Sequence, residues 1–301
     1  MTHQLQRNSV SAIPSLLAVV AGAVCTATNP IFVRFSELEP VASAFHRMLW
    51  AIPILLLWGY FDKKPDSAIV EKKSRDRWLL VLCGMFFAAD LIALHLAIDL
   101  TLAANAIVFL NAQPLYVVIF GWLFFSERVS GGFIIAMLLA FIGIAVLMWS
   151  GANVGTGNLL GDCLGIAAGL FYAGFLLAAK RLRTSHSSIT INLWTCLAAL
   201  PILLLVAIGS KATLMPQTAE GWSYMLALGI VSHALGQGLI VWGLARLKPG
   251  MSAIALLVAP LAAACFAWVL LNEQLNTIQI LAMFVVLIAI QTAWHFSKAQ
   301  E

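Results

Sequence analysis

The sequence predicts an all-α integral membrane protein: ten transmembrane helices, arranged as two inverted five-helix repeats. Three observations lead there. Hydrophobic residues make up 62% of the chain and charged residues 10%, against roughly 45–50% and about 25% in a soluble domain. That little charge cannot cover a water-facing surface, and the mean hydropathy of +0.96 agrees. The apolar runs are also long and do not alternate. Hydrocarbon satisfies no backbone groups, so such runs cross as helices of about 20 residues. Finally, the chain is written twice. Pro114 stands 13 residues before Glu127 and Pro260 stands 13 before Glu273, the copies lying 146 positions apart (260 − 114). A repeat offset near half of 301 residues reads as a duplicated unit.

Other landmarks keep almost that offset. Arg34 and Lys180 each close an apolar run, 146 apart. Ala51-Ile52-Pro53-Ile54-Leu55-Leu56-Leu57 recurs as Ala199-Leu200-Pro201-Ile202-Leu203-Leu204-Leu205, at 148. Trp78 and Trp222 open runs at 144. The halves are therefore expected at 1–150 and 151–301.

No charge falls between Arg7 and Arg34, which places span 1 near 12–35. No small-residue cleavage site follows a short apolar core, so this run is expected to be retained. Span 2, entered at Pro40, runs near 40–61, and a polar stretch reaches Arg77. Span 3 lies near 78–99 and span 4 near 102–125. The uncharged stretch 129–161 is too long for one crossing, and the glycines from Gly151 to Gly157 break it, leaving span 5 near 131–149. The second half gives spans near 159–181, 187–209, 220–245, 250–271 and 276–296. A cytoplasmic N-terminus puts 14 of the 17 Lys and Arg inside, with only Arg34, Arg47 and Lys211 outside. Both termini are thus expected in the cytoplasm, in a bacterial-type inner membrane. Five crossings per half turn the second half over, which in transporters puts the substrate site near the midplane.

The duplicated proline–glutamate unit and the basic residue ending the first helix of each half resemble the drug/metabolite transporter superfamily, in its EamA-repeat branch. Phe125-Ser126-Glu127-Arg128-Val129-Ser130 and Leu271-Asn272-Glu273-Gln274-Leu275-Asn276 look like that family's glutamate turn. Gly132 and Gly143 keep its glycine pattern, whereas the second half has Ala282 and Ala289. The resemblance covers nearly the whole chain, and within the family the chain looks most like exporters of aromatic amino acids. It implies export of small solutes by alternating access, through a cavity lined by spans 1, 3, 4, 6, 8 and 9.

Asp90 is the sharpest single signal. It lies twelve residues past Trp78, about 18 Å into the bilayer at 1.5 Å per residue. A charge there costs roughly 2.5–3.5 kcal/mol on insertion scales. It should face the cavity or pair with Arg47 or His46; the alternative is a purely structural ion pair with Arg47. His233 lies in Ser232-His233-Ala234-Leu235-Gly236-Gln237-Gly238, where two glycines and several polar groups in one span mark close helix approach or local unwinding. Asp90 and His233 could carry protons. Thr26, Asn29, Asn105, Asn111, Gln113, Tyr116 and Gln237 are further candidates for the cavity. Pro114 removes a donor and frees a carbonyl one turn earlier, which with amides could hold an ammonium and a carboxylate. Tyr172 and Trp242 could stack on cargo, although most of the ten Trp should be interface anchors. Glu127 and Glu273 are expected to cap helices, with Arg47, Pro114 and Pro260 structural.

The expected partners are a small-molecule substrate (an amino acid), the lipid bilayer and possible protons. The sequence leaves the oligomeric state open. No phosphate-binding glycine loop, hydrolase motif or zinc spacing occurs, so no cofactor, no metal and no enzymatic activity are expected. The five Cys stand singly in apolar runs and read as reduced thiols. The basic 62–77 stretch also carries four acids and reads as a topology signal, not a nucleic-acid site. Drugs, nucleotide-linked sugars or other metabolites are the alternative cargo; a membrane enzyme or an assembly subunit is the remaining alternative.

Overall fold

A computed structural model describes residues 2–61, 74–125, 130–150, 158–272 and 274–298. Among them every regular element is helical. Ten helices are long and apolar enough to cross a membrane: Ile13–Phe35, Pro40–Phe61, Asp76–Leu100, Ala103–Leu123, Gly131–Trp149, Leu159–Leu182, Ser188–Gly209, Ala219–Gly243, Gly250–Leu271 and Thr277–Ser297. These are spans 1 to 10, and each end falls close to the charge or glycine that marks it in the sequence. Glu127 and Glu273, with their expected caps, lie outside the described residues.

Loop contacts show that the spans alternate in direction. Glu37, between spans 1 and 2, accepts from the backbone N–H of Gln217, between spans 7 and 8, at 2.6 Å. Glu39 accepts from the N–H of Thr213 at 2.9 Å. Thr101, after span 3, donates to Asp162, opening span 6, at 2.8 Å. Asn276, before span 10, donates to the carbonyl of Ser150, after span 5, at 2.9 Å. These connections share one face. At the other, Lys180 ends span 6 and donates to the carbonyls of Leu244 and Leu247 at 2.8 and 2.6 Å. A cation at open helix-end carbonyls is well placed.

The packing pattern maps onto itself when each span is exchanged for the one five places on. Span 3 packs on span 6 and span 8 on span 1; span 3 also packs on span 7 and span 8 on span 2. Spans 5 and 10 pack on each other at the periphery, as do spans 2 and 7. The correspondence reaches single atoms. A Cβ on Gly84 would lie 2.5 Å from the Cβ of Ala198 and 3.1 Å from the nitrogen of Ala199. A Cβ on Gly229 would lie 2.5 Å from the Cβ of Trp50 and 2.9 Å from the nitrogen of Ala51. Ala51 and Ala199 open the two copies of the Pro-Ile-Leu-Leu-Leu stretch, so the same glycine contact occurs twice. Ala282 and Ala289 are buried, and the Ala282 carbonyl lies 3.3 Å from where a Gly143 Cβ would be. Alanine thus suffices where the family pattern has glycine.

Four spans depart from regular α-helix. Span 1 breaks at Ala27–Thr28 and span 4 at Asn111–Ala112, while span 9 breaks at Leu256–Leu257. Each break precedes a proline (Pro30, Pro114 or Pro260) that cannot donate to the carbonyl four residues back. In span 8, Leu228–Gln237 is a π-helix, the local unwinding that the polar, glycine-rich sequence predicts. π segments recur at functional sites.

Glu37 also accepts from the hydroxyl of Thr218, the N-cap of the helix that begins span 8. That hydroxyl, with the Gln217 N–H, holds the Glu37 carboxyl below its ordinary value of 4.5. A depressed carboxyl stabilises the fold above its unfolded-state value, and that contribution is lost as pH falls through the folded value. Glu37→Gln should therefore speed hydrogen exchange at the Gln217 amide at neutral pH. The difference from wild type should shrink as the pH drops below about 4.5. Identical exchange at pH 7 would show that the carboxylate does not hold this loop.

Candidate central binding site

The polar centre is built from spans 2, 3, 6 and 8. Arg47 and Asp90 are 7% and 5% exposed, and their fields act on each other. No direct ion pair joins them among the described residues, and Arg47 Nε and Asp90 Oδ1 have no hydrogen-bond partner. Arg47 is the hub. Its field also reaches His95, Tyr172, Cys196 and His233, and its guanidinium lies 5.5 Å from the centroid of the Phe87 ring. Phe87 is one turn before Asp90 on the same helix face. Around it stand Phe175 at 5.2 Å, His233 at 5.3 Å and Tyr172 at 6.3 Å. His233 is fully buried, and both its ring nitrogens lack partners. Gln237, 1% exposed, leaves Nε2 unpartnered and faces the Tyr172 hydroxyl. A buried arginine and aspartate, a ring wall and several unpaired polar groups meet in the interior of the helix bundle.

The structure thus gathers Asp90, Tyr172, His233 and Gln237 from the predicted set. Gln113 is buried at the middle of span 4, with Oε1 unpartnered. The others are engaged elsewhere. Thr26 donates to the Ala23 carbonyl of its own helix, and Asn29 is half-buried at the span 1 break. Asn105 donates to Asp162 and accepts from the Trp149 indole, a knot joining the ends of spans 4, 5 and 6. Asn111 donates to the Ile107 carbonyl within its own helix at 2.8 Å. Tyr116 and the Leu110 carbonyl freed by Pro114 both press on Gly169 of span 6. Trp242 is 38% exposed and lies under Arg246. His46 meets the Leu214 carbonyl at 2.7 Å and the Trp222 ring edge-on, away from Asp90.

Sequence reasoning treated Arg47 as structural and passed over Phe87 and Phe175. The usable signal was the cost of burying a cation with no acid on its own span. A second missed signal is Gly161, Gly165 and Gly169, four residues apart on span 6. They seat span 6 against Thr101, Ala106 and Phe109 of the broken helix opposite, as small-residue ridges do in membranes. Among the described residues, no group of acids, histidines and cysteines could hold a metal ion.

The sequence profile of the EamA-like transporter family matches the chain twice, over residues 13–149 and 159–292. An uncharacterized transporter of Archaeoglobus fulgidus is 25% identical over 260 residues, 81% of this chain and 84% of that protein. The threonine/homoserine exporter RhtA of Escherichia coli is 30% identical over 171 residues, 55% of each chain. The pseudopaline exporter CntI of Pseudomonas aeruginosa is 22% identical over 279 residues, 91% of this chain and 93% of that protein. One solved crystal structure superposes with a TM-score of 0.81 at 16% identity, covering 95% of this chain and 98% of the other. At that identity the likeness establishes the fold alone.

Proposed function

The chain belongs to the EamA-like transporter family, and from that premise we propose that it is a secondary transporter exporting α-amino acids, aromatic ones among them, and related small metabolites by alternating access. The observation that carries this reading is the pair Arg47 and Asp90. They are an arginine and an aspartate buried together, with no direct ion pair between them among the described residues and an unpartnered polar atom on each. A buried charge is costly unless it is paired and hydrogen-bonded. An amino acid brings one group for each: its carboxylate for the guanidinium, its ammonium for the carboxylate. The likeness to a threonine/homoserine exporter supports the same cargo class.

The two repeats take residues 1–150 and 151–301 as oppositely inserted units, which the doubled family match and the exchangeable packing support. The excess of Lys and Arg in the connections on the side of Lys180 and Arg183 supports a topology with both termini in the cytoplasm of a bacterial-type inner membrane. Coupling to protons would run through Asp90 and His233; facilitated diffusion needs neither group.

The test is counterflow of labelled amino acids into proteoliposomes of the purified chain, with and without a pH gradient. Saturable amino acid flux is expected, and Asp90→Asn should reduce it by about 30-fold or more by removing a buried charge contact. Flux confined to other solutes, or normal flux in the Asp90→Asn protein, would overturn the reading.

A further inference from the structure

Resting on that reading, we infer that His233 and Gln237 form a side-chain subsite that selects amino acids bearing a hydrogen-bonding group on the side chain over their apolar isosteres. Arg47 and Asp90 account for the carboxylate and ammonium, groups common to all amino acids. Of the buried polar atoms that still lack a partner, three lie together on span 8: Nδ1 and Nε2 of His233, and Nε2 of Gln237. These lie one turn apart on the inward face of the π-helix of span 8, beside Tyr172. A neutral imidazole offers one donor and one acceptor, and the Gln237 amide adds a donor. A hydroxyl or amide on the cargo can both give and accept, so it can satisfy them; a methyl group cannot.

The ring wall argues the same way. Phe87 and Phe175 are 2% and 0% exposed, packed against each other and Tyr172, with Arg47 over the Phe87 ring. Those rings are satisfied by the packing they already have, whereas the equally buried polar atoms of His233 and Gln237 are not, so a polar cargo side chain gains most at span 8. An aromatic cargo is accepted by its polar edge, as in tyrosine, rather than by its ring alone. A site built to hydrogen-bond its substrate discriminates against the analogue lacking that group, because the site's own polar atoms are then left unpaired.

The experiment compares isosteric pairs, threonine against valine and tyrosine against phenylalanine, by counterflow in proteoliposomes of the full chain. Each polar member should be favoured by about tenfold or more in the ratio of Vmax to KM. Gln237→Met, close in size, and His233→Gln, which keeps hydrogen bonding but changes its geometry, should both bring the threonine-to-valine ratio toward one. Gln237→Met should also raise the thermal stability of the substrate-free protein, since it removes an unpaired buried amide, while reducing the stabilisation that threonine confers. A variant that fails to fold lowers stability in the absence of any amino acid and is thereby recognised; the isosteric ratios of the wild type still decide. Equal transport of both members of each pair would overturn this inference and leave the amino acid reading standing. If neither member moves, the reading itself fails.

Discussion

Arg47→Gln should abolish saturable amino acid flux while leaving a folded protein in the membrane. The guanidinium acts electrostatically on Asp90, His95, Tyr172, Cys196 and His233 alike. In the proposed site it is also the one group that meets the substrate carboxylate. Removing one partner of a buried charge contact costs about 2–5 kcal/mol, roughly 30- to 4,000-fold in affinity. The loss should appear mainly as a raised KM. Arg47→Lys keeps the charge but loses the planar fork and the ring stacking over Phe87, so it should recover only part of the affinity. The fold should survive, because a shorter, neutral amide removes a desolvated charge from the bilayer interior. The variants need a folding check by thermal unfolding in detergent. Wild-type flux from Arg47→Gln would remove Arg47 from the site.

Gly84→Ala and Gly229→Ala should each destabilise the protein, and by similar amounts. Ordinarily a glycine in a helix interior gains about 0.8–1 kcal/mol on becoming alanine. Here a Cβ meets immovable atoms. On Gly84 it would lie 2.8 Å from the Thr195 carbonyl oxygen, and on Gly229 2.8 Å from the Trp50 carbonyl carbon. Neither neighbour is a flexible side-chain end, so spans 3 and 7, or spans 8 and 2, must move apart. Overpacking costs typically about 1–3 kcal/mol, occasionally more, and should outweigh the helical gain. Thermal unfolding of the two variants side by side checks this. A large loss from one and a gain from the other would show that the two contacts, though placed alike, are not equivalent.

The ten spans were legible because charge is scarce: each place where it gathers is a span end. The break in span 4 was legible through Pro114. Those in spans 1 and 9 were not, since Pro30 and Pro260 sit in runs with no polar residue to suggest a turn there, or with polar residues already assigned to a cavity. The unwinding of span 8 was legible from Gly236 and Gly238, which follow His233 among several polar groups. What the sequence could not supply is the direction in which each residue points. A helix apolar on all sides has no polar stripe to orient it, so depth can be counted along the chain but rotation cannot. Counting along the chain puts Asp90 near the middle of span 3, yet its neighbours Phe87, Tyr172 and Arg47 come from three spans whose rotation is fixed only by packing. The same gap explains why Asn105 and Trp242, polar or aromatic and inside spans, sit in contacts far from the centre. Asn105 is held by Asp162 and Trp149 at a span end, a partnership no spacing in the chain announces.

The central claim is that one small zwitterion joins Arg47 to Asp90 halfway across the membrane. Competition against labelled threonine in counterflow tests it most directly, using three unlabelled solutes: threonine itself, the corresponding amine without its carboxylate, and the corresponding hydroxy acid without its amine. The account predicts that threonine competes and that each truncated solute is weaker by about 30-fold or more. Arg47→Gln should erase the difference between threonine and the amine. Equal competition by either truncated solute in the wild type would contradict it.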